Sequence, residues 1–383
     1  MRTMAVIGTG LIGTSVALAV SRRGVTVFLS DRDPAAARTA AALGAGVTRA
    51  PSRPVDLAVI AVPPSQVGAV LVDVQERGLA RDVTDVASVK AGPERVALSH
   101  APDPVRYIGG HPLAGRERSG PLAARAELFQ GRNWVLTPSR LTSRATCDRA
   151  LELVALCDAV PVVMRSQDHD AAVAVTSHVP HLVASLMAAR LLEGPAGRSR
   201  LAGQGLRDVT RIAGGDPGLW GDILQANAPA VAGVLRELHA DLSLLVPALD
   251  ALARPGGGDR EHAMRTLVDL LERGVAGLAA IPRARPGAAA GERRVRVAVA
   301  DRPGELARLL RAVAGLGLAA EDAAVDTGAG AGDGFTVRFA VPPSAADRTV
   351  AGLRAGGWDA GAEDDAWSGR DEGEAAALPV GFP

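Results

Sequence analysis

The sequence predicts an α/β domain with a parallel sheet, then an all-α domain, then a C-terminal βαββαβ unit. Three observations predict this order. Short β-branched runs alternate with helical patterns through the first ~140 residues. Long stretches with apolar residues three and four apart fill the middle of the chain. Strand patterns then return after a Pro-, Gly- and Ala-rich segment, Ala284–Gly291.

In chain order, strands are expected near Met4–Ile7, Val25–Ser30, Asp56–Ala61, Val83–Val86 and Arg106–Gly109, where strand formers cluster. Helices fill the gaps at Leu11–Arg23, Pro34–Leu43, Gln66–Arg77 and Pro93–Ser99. One more strand, Val160–Met164, follows before the strand signal fades. Helices are expected over Gln167–Leu192, Asp222–Ala253 and His262–Ala280, apolar enough to supply a homodimer interface as well as a core. Pro180 should kink the first of these. Beyond the linker come a strand at Arg294–Ala300, a helix at Gly304–Leu316 and strands at Ala319–Asp326 and Gly334–Val341. A helix at Ser344–Ala355 and a strand at Trp358–Gly361 complete the order of a ferredoxin-like plait. The expected boundaries are 1–140, 141–282, a linker at 283–292, a plait at 293–362 and an acidic, disordered tail at 363–383.

The 383 residues carry 42 basic and 42 acidic groups. Such balance argues against nucleic acid or a membrane surface as partner, since both select basic proteins. There is no run of about 18 apolar residues to span a bilayer. The first strand meets a Gly-rich turn too early for a signal peptide, so the expected compartment is the cytoplasm. Cys147 and Cys157 are the only cysteines, too few for a disulfide framework or a Cys-based zinc site. Lys90 is the only lysine among 42 basic residues. It is either a chance survivor of an arginine-rich composition or a place where a compact ammonium is needed.

Gly8-Thr9-Gly10-Leu11-Ile12-Gly13 fits G-x-G-x-x-G between the first strand and the first helix. Gly8 permits the tight turn, Gly10 lets a pyrophosphate approach the backbone, and Gly13 lets helix and strand pack closely. Leu11 and Ile12 open the helix whose amides would face the phosphates. The first domain therefore reads as Rossmann-type. Asp31 ends the second strand, where an acid binds ribose hydroxyls and repels a 2′-phosphate. NAD is thus expected over NADP, despite the neighbouring Arg32. Val62 and Pro63, just past the third strand, join the expected cofactor contacts.

Three further segments concentrate chemistry. In Asp85-Val86-Ala87-Ser88-Val89-Lys90, Ser88 either faces the nicotinamide at the carboxyl edge of the sheet or caps the next helix. In Gly109-Gly110-His111-Pro112-Leu113-Ala114-Gly115-Arg116-Glu117, His111 lies just past the fifth strand and suits a base at neutral pH. The helical half contributes Ser177-His178-Val179-Pro180-His181, Asp208-Val209-Thr210-Arg211 and Asp216-Pro217-Gly218-Leu219-Trp220. No HExxH pattern accompanies the histidines, so no metal is expected. Arg211 either clamps a carboxylate, with Asp208 beside it, or forms a surface ion pair.

Together the GTGLIG turn, the SVK run, the GGHPLAGRERSG loop, the SHVPH helix and the GLRDVTRIAGGDPGLW stretch resemble the prephenate/arogenate dehydrogenase family of tyrosine biosynthesis. The resemblance covers roughly residues 3–282, and Asp301-Arg302-Pro303-Gly304-Glu305-Leu306 looks like the turn of an ACT domain. The resemblance implies that His111 is the catalytic histidine, that Ser88 contacts the same ring hydroxyl, and that Arg211 binds substrate carboxylate. It also implies that His181, Asp208 and Glu117 surround the substrate entrance, and that Trp220 lines the pocket. The activity implied is NAD-dependent oxidative decarboxylation of prephenate, with no metal and with an amino-acid effector at the C-terminal domain.

Two departures bear on the substrate. The glycine run is broken to Gly203-Gln204-Gly205, and Arg116 follows Gly115. An Arg116 cation disfavours the ammonium of arogenate, which leans the reading towards prephenate. The alternatives are arogenate oxidation, a 3-hydroxyacid dehydrogenase, and a sensor that binds NAD and amino acids without turnover. The second typically uses a lysine base in the helical domain, and none is present there.

Overall fold

The computed structural model describes residues 1–115, 120–192, 198–254, 259–281, 293–300, 302, 304–316, 323–326, 334–341 and 343–363. The chain divides into two units, Met1–Leu278 and Ala279–Pro383.

The first unit is built on β1 (Thr3–Ile7), β2 (Thr26–Ser30), β3 (Val55–Ile60), β4 (Ala80–Asp85) and β5 (Tyr107–Pro112). These five pair in parallel, in the order β2-β1-β3-β4-β5. Helices α1 (Leu11–Ser21), α2 (Pro34–Ala42), α3 (Pro64–Glu76) and α4 (Ala91–His100) connect them. Met4, Val6, Leu57, Val59 and Ile60 are all fully buried, as expected of parallel strands covered on both faces. All five strands end at one edge, along which the glycine turn, Asp31, Ser88 and His111 lie.

The sheet does not stop at residue 140. β6 (Asn133–Thr137) pairs antiparallel with β5, and β7 (Val160–Val163) pairs parallel with β6 across α5 (Arg144–Leu156). The α/β layer therefore runs to Val163. The expectation missed α5, and it missed β6 because Trp134, Val135, Leu136 and Thr137 are all buried, leaving no alternation to read.

The helical part begins with α6 (Ser166–Val173), a π-turn at Ala174–His178, and α7 (Val179–Ala189). The irregularity expected at Pro180 thus appears as a π-turn just before it. α8 (Gln204–Thr210), a 3₁₀ turn at Arg211–Gly214, α9 (Pro217–Ala226), α10 (Ala228–Ala253) and α11 (Arg260–Ala279) follow. The single helix expected over 222–253 is broken at Asn227, whose φ of −116° and ψ of 22° are not helical.

In the second unit, β8 (Arg293–Ala300), α12 (Glu305–Gly315), β9 (Ala323–Asp326), β10 (Gly334–Val341), α13 (Pro343–Ala355) and β11 (Asp359–Glu363) succeed one another. The sheet is antiparallel, in the order β11-β8-β10-β9. Val295, Val297, Val299, Leu309, Val337 and Phe339 form its core. Residues 284–291 and 364–383, read as linker and tail, lie outside the described residues.

Candidate active site

The glycine turn needs its glycines for different reasons. Gly8 has φ +99°, and a Cβ there would meet Ala61 O at 2.3 Å and Val62 N at 3.1 Å. A Cβ on Gly13 would meet Gly8 O at 2.0 Å. Gly10 faces open space, and as the N-cap of α1 it offers no side-chain cap to the helix amides. A close-packed turn with an open middle glycine and uncapped helix amides fits a dinucleotide pyrophosphate. Leu11 and Ile12 form the first turn of α1, while Val62 and Pro63 follow β3 beside Gly8. Asp31 lies at the end of β2, where one carboxylate oxygen accepts from Thr9 N at 2.6 Å and Thr9 Oγ1 at 2.9 Å. The neighbouring Arg32 is exposed.

Ser88 occupies a bend between β4 and α4. It is not the cap of α4, because that position is Lys90. The capping acceptor is Asp170 of α6, which takes Lys90 N at 2.8 Å and Ala91 N at 2.9 Å. The Ser88 side chain is left half-buried at the carboxyl edge of the sheet.

His111 is the fifth residue of β5, opposite Val135 of β6. Its Nδ1 lies 2.8 Å from Nε2 of His169, and Nδ1 of His169 lies 2.8 Å from Oδ1 of Asp170. Burial, reinforced by His169, Lys90 and His178, holds His111 well below the ordinary imidazole range. It is therefore neutral at pH 7 and able to accept a proton.

Behind His111 lies the sole lysine. Lys90 Nζ bonds Asp85 Oδ1 and donates to Gly110 O at 2.6 Å, while Tyr107 OH donates to Asp85 Oδ2 at 2.6 Å. Both ends of the Lys90–Asp85 pair are completely buried. Burial lowers the Lys90 ammonium and Asp85 pulls it back up; burial and Asp85 together raise the Tyr107 phenol well above its usual value. Gly109 makes room for this network: a Cβ there would meet Thr137 Oγ1 at 2.4 Å and Lys90 Cδ at 3.2 Å. The sole lysine thus occupies a fully buried, ion-paired position beside a glycine.

In the helical part, His181 stacks on Trp220, with centroids 3.6 Å apart and planes 10° from parallel. Gly215 permits this, since a Cβ would meet Trp220 Nε1 at 2.3 Å. Burial lowers His181, while a bond to the Ile212 backbone opposes the shift. Its Nδ1 is buried with no partner among the described residues. His178, also lowered by burial, meets Asn227 Nδ2 through its Nδ1 at 3.1 Å, and the same amide donates to Asp170 O at 2.8 Å. Arg211 and Asp208 are exposed, and Asp208 accepts from Gln204 Nε2 at 2.8 Å. Arg116 and Glu117 lie outside the described residues. Among the described residues, no group of His, Cys, Asp and Glu is arranged to hold a metal.

Sequence reading missed His169 and Asp170. A signal was present: Ser166, His169, Asp170 and Val173 are the buried residues of α6, spaced as a helix core face but mostly polar.

Comparison with known proteins gives a consistent picture. The nucleotide-binding domain of prephenate dehydrogenases matches residues 16–163 and their dimerization domain residues 165–265. The chain is 41% identical over 363 residues to "Probable prephenate dehydrogenase NovF" of Streptomyces niveus, covering 94% of this chain and 99% of that one. It is 34% identical over 260 residues to the cyclohexadienyl dehydrogenase of Zymomonas mobilis, covering 64% of this chain and 88% of that one. Its fold resembles the Aquifex aeolicus prephenate dehydrogenase solved with hydroxyphenyl propionate and NAD+, with TM-score 0.61, 24% identity, and coverage of 73% of this chain and 98% of that one.

Proposed function

The chain belongs to the prephenate dehydrogenase family, and from that premise we propose that it oxidises prephenate with NAD to 4-hydroxyphenylpyruvate and carbon dioxide. The observation that carries this reading is the position of His111. A neutral imidazole stands at the carboxyl edge of the sheet, on the strand next to the Ser88 bend and along the same edge as the open glycine turn.

NAD, when bound, supplies the hydride acceptor. Gly8, Gly10 and Gly13 would shape its turn, the amides at Leu11 and Ile12 would hold the phosphates with Val62 and Pro63 beside them, and Asp31 would exchange Thr9 for the ribose hydroxyls. His111 takes the proton of the ring hydroxyl as the hydride leaves the same carbon, and Ser88 holds that hydroxyl. Loss of the ring carboxylate as carbon dioxide then sends the electron pair of the broken C–C bond into the ring, which becomes aromatic as the former carbonyl oxygen takes the proton back from His111. Arg211 binds a substrate carboxylate; His181, Trp220 and Asp208 line the approach.

The test is NADH formation with prephenate and arogenate side by side. Prephenate should be the better substrate by kcat/KM. A preference for arogenate would assign the amine-bearing substrate, and turnover of neither would remove the reading.

The exposed apolar row Met264, Val268, Leu271, Val275 and Leu278 on α11 supports assembly as a homodimer through the helical part. The order of elements and strands in residues 293–363 supports a ferredoxin-like, ACT-type unit that binds an amino-acid effector. A chain ending near Pro282 should keep turnover and lose any response to tyrosine, phenylalanine or tryptophan. Undiminished inhibition would assign the effector to the active site.

A further inference from the structure

We infer that His169 and Asp170 fix the tautomer of His111, leaving its Nε2 as the atom that accepts the proton. The inference rests on the dehydrogenase reading only for the identity of the proton donor. The geometry of the chain is its own argument.

Asp170 is reached by donors from two sides. Lys90 N and Ala91 N, at the start of α4, donate to its two oxygens, and His169 Nδ1 approaches Oδ1 at 2.8 Å. A carboxylate in that position accepts, so His169 Nδ1 carries a hydrogen. In a neutral imidazole the other nitrogen then has a lone pair, and His169 Nε2 is an acceptor. The atom 2.8 Å from it is His111 Nδ1, which must therefore donate. His111 is left with a bare Nε2.

Among the described residues, His169 Nε2 is the hydrogen-bond partner of His111 Nδ1, and the ionisable groups that act electrostatically on this cluster are Lys90, His178 and Asp170. A doubly protonated His169 would reverse the bond, but it would add a second buried cation near Lys90, beside an imidazole that must itself gain charge. The neutral chain avoids this. As the substrate O–H bond breaks, an Nε2–H bond forms on His111, and the resulting positive charge on that ring is stabilised through its Nδ1–H bond to His169, which in turn donates to the Asp170 carboxylate. No proton has to leave the chain during this step.

His169 is also 1% exposed and Asp170 5%, so solvent does not compete for either bond. Asp170 has a second task. By capping α4 it ties the start of that helix, just after the Ser88 bend, to the residue that orients His111. One carboxylate on α6 thus sets both sides of the proton transfer. His169 and Asp170 are positioning residues; neither needs to touch substrate.

The test uses the full-length protein labelled with 15N-histidine, without cofactor or substrate, at pH 7.5. Long-range 1H–15N spectra report each ring tautomer, with His111 and His169 assigned by single His→Gln variants. Both rings should be neutral with Nδ1 protonated. An Nε2–H tautomer of His111, or a doubly protonated His169, overturns the inference. Kinetics give a second readout. His169→Leu should lower kcat by ~10²–10⁴ with KM for prephenate and NAD affinity unchanged. His169→Gln, whose amide oxygen still accepts from His111 Nδ1, should recover most of that loss. Equal kcat in His169→Leu and the wild type also overturns it. If prephenate proves not to be the substrate while the tautomers stand, the substrate reading fails and this inference does not.

Discussion

The two sides of the candidate site are made differently. The wall behind His111 is dry: Lys90, Asp85 and Tyr107 are buried and joined by hydrogen bonds, and His169 and Asp170 continue the chain to the imidazole. The side that carries Arg211 and Asp208 is exposed, on short helical turns. A buried network has few alternative arrangements, so it suits a group that must hold one geometry for proton and hydride transfer. A charge at the surface is screened by water, which suits capture of a carboxylate without neutralising it. The difference teaches a division of labour. The dry wall should govern kcat and stability, and the exposed side should govern KM.

The largest effect is expected at the end of the dry wall. His111→Asn should lower kcat by ~10²–10⁴ and leave NAD binding intact, as measured by steady-state kinetics and cofactor titration. Next comes Lys90→Met, which strands Asp85 without its cation. Breaking one half of a buried pair removes about 3–5 kcal/mol of stability, visible as a large fall in denaturation midpoint. A change below about 1 kcal/mol would mean that the pair behaves as an exposed one. On the exposed side, Arg211→Ala should raise KM by roughly 10–100-fold, the equivalent of one charge-assisted hydrogen bond. Lysine should restore it poorly, because the fork is lost.

Much of this contrast was legible in the sequence on its local parts. The glycine turn, Asp31 and Ser88 each follow a strand within a few residues, and His111, expected just past the fifth strand, lies near the end of β5 itself, so spacing locates all of them at one edge. Long-range partners were not legible. His169 and His111 are 58 residues apart, and Asp170 caps a helix 79 residues earlier in the chain. Lys90 stood out by composition, yet its role depends on Gly109 and Thr137 leaving a slot for it. β6 was hidden by burial on both faces, and the break at Asn227 depends on a side chain that bonds His178 and the Asp170 backbone.

A gentler probe of the dry side is pH. His111, His178 and His181 are all held below the ordinary imidazole value. The unfolded chain therefore binds more protons than the folded one as pH falls below about 6.5. Their stabilising contribution is complete above that value and lost below it, so Tm should fall on acidification from neutral pH. A Tm that stays level would argue against buried neutral rings. The smallest effect is expected far from the reaction. Asp31→Ser should raise relative use of NADP, by removing repulsion of a 2′-phosphate while Arg32 stays. A wild type that already prefers NADP would contradict the reading of β2.

The division of labour is tested most directly by one kinetic cycle. kcat and KM for prephenate are measured for wild type, His111→Asn, Arg211→Ala and the double variant. The expected result is that His111→Asn moves kcat alone, Arg211→Ala moves mainly KM, and the double variant shows the sum of both effects in kcat/KM. A His111→Asn enzyme with more than half of the wild-type kcat, or an Arg211→Ala enzyme with unchanged KM, would contradict it.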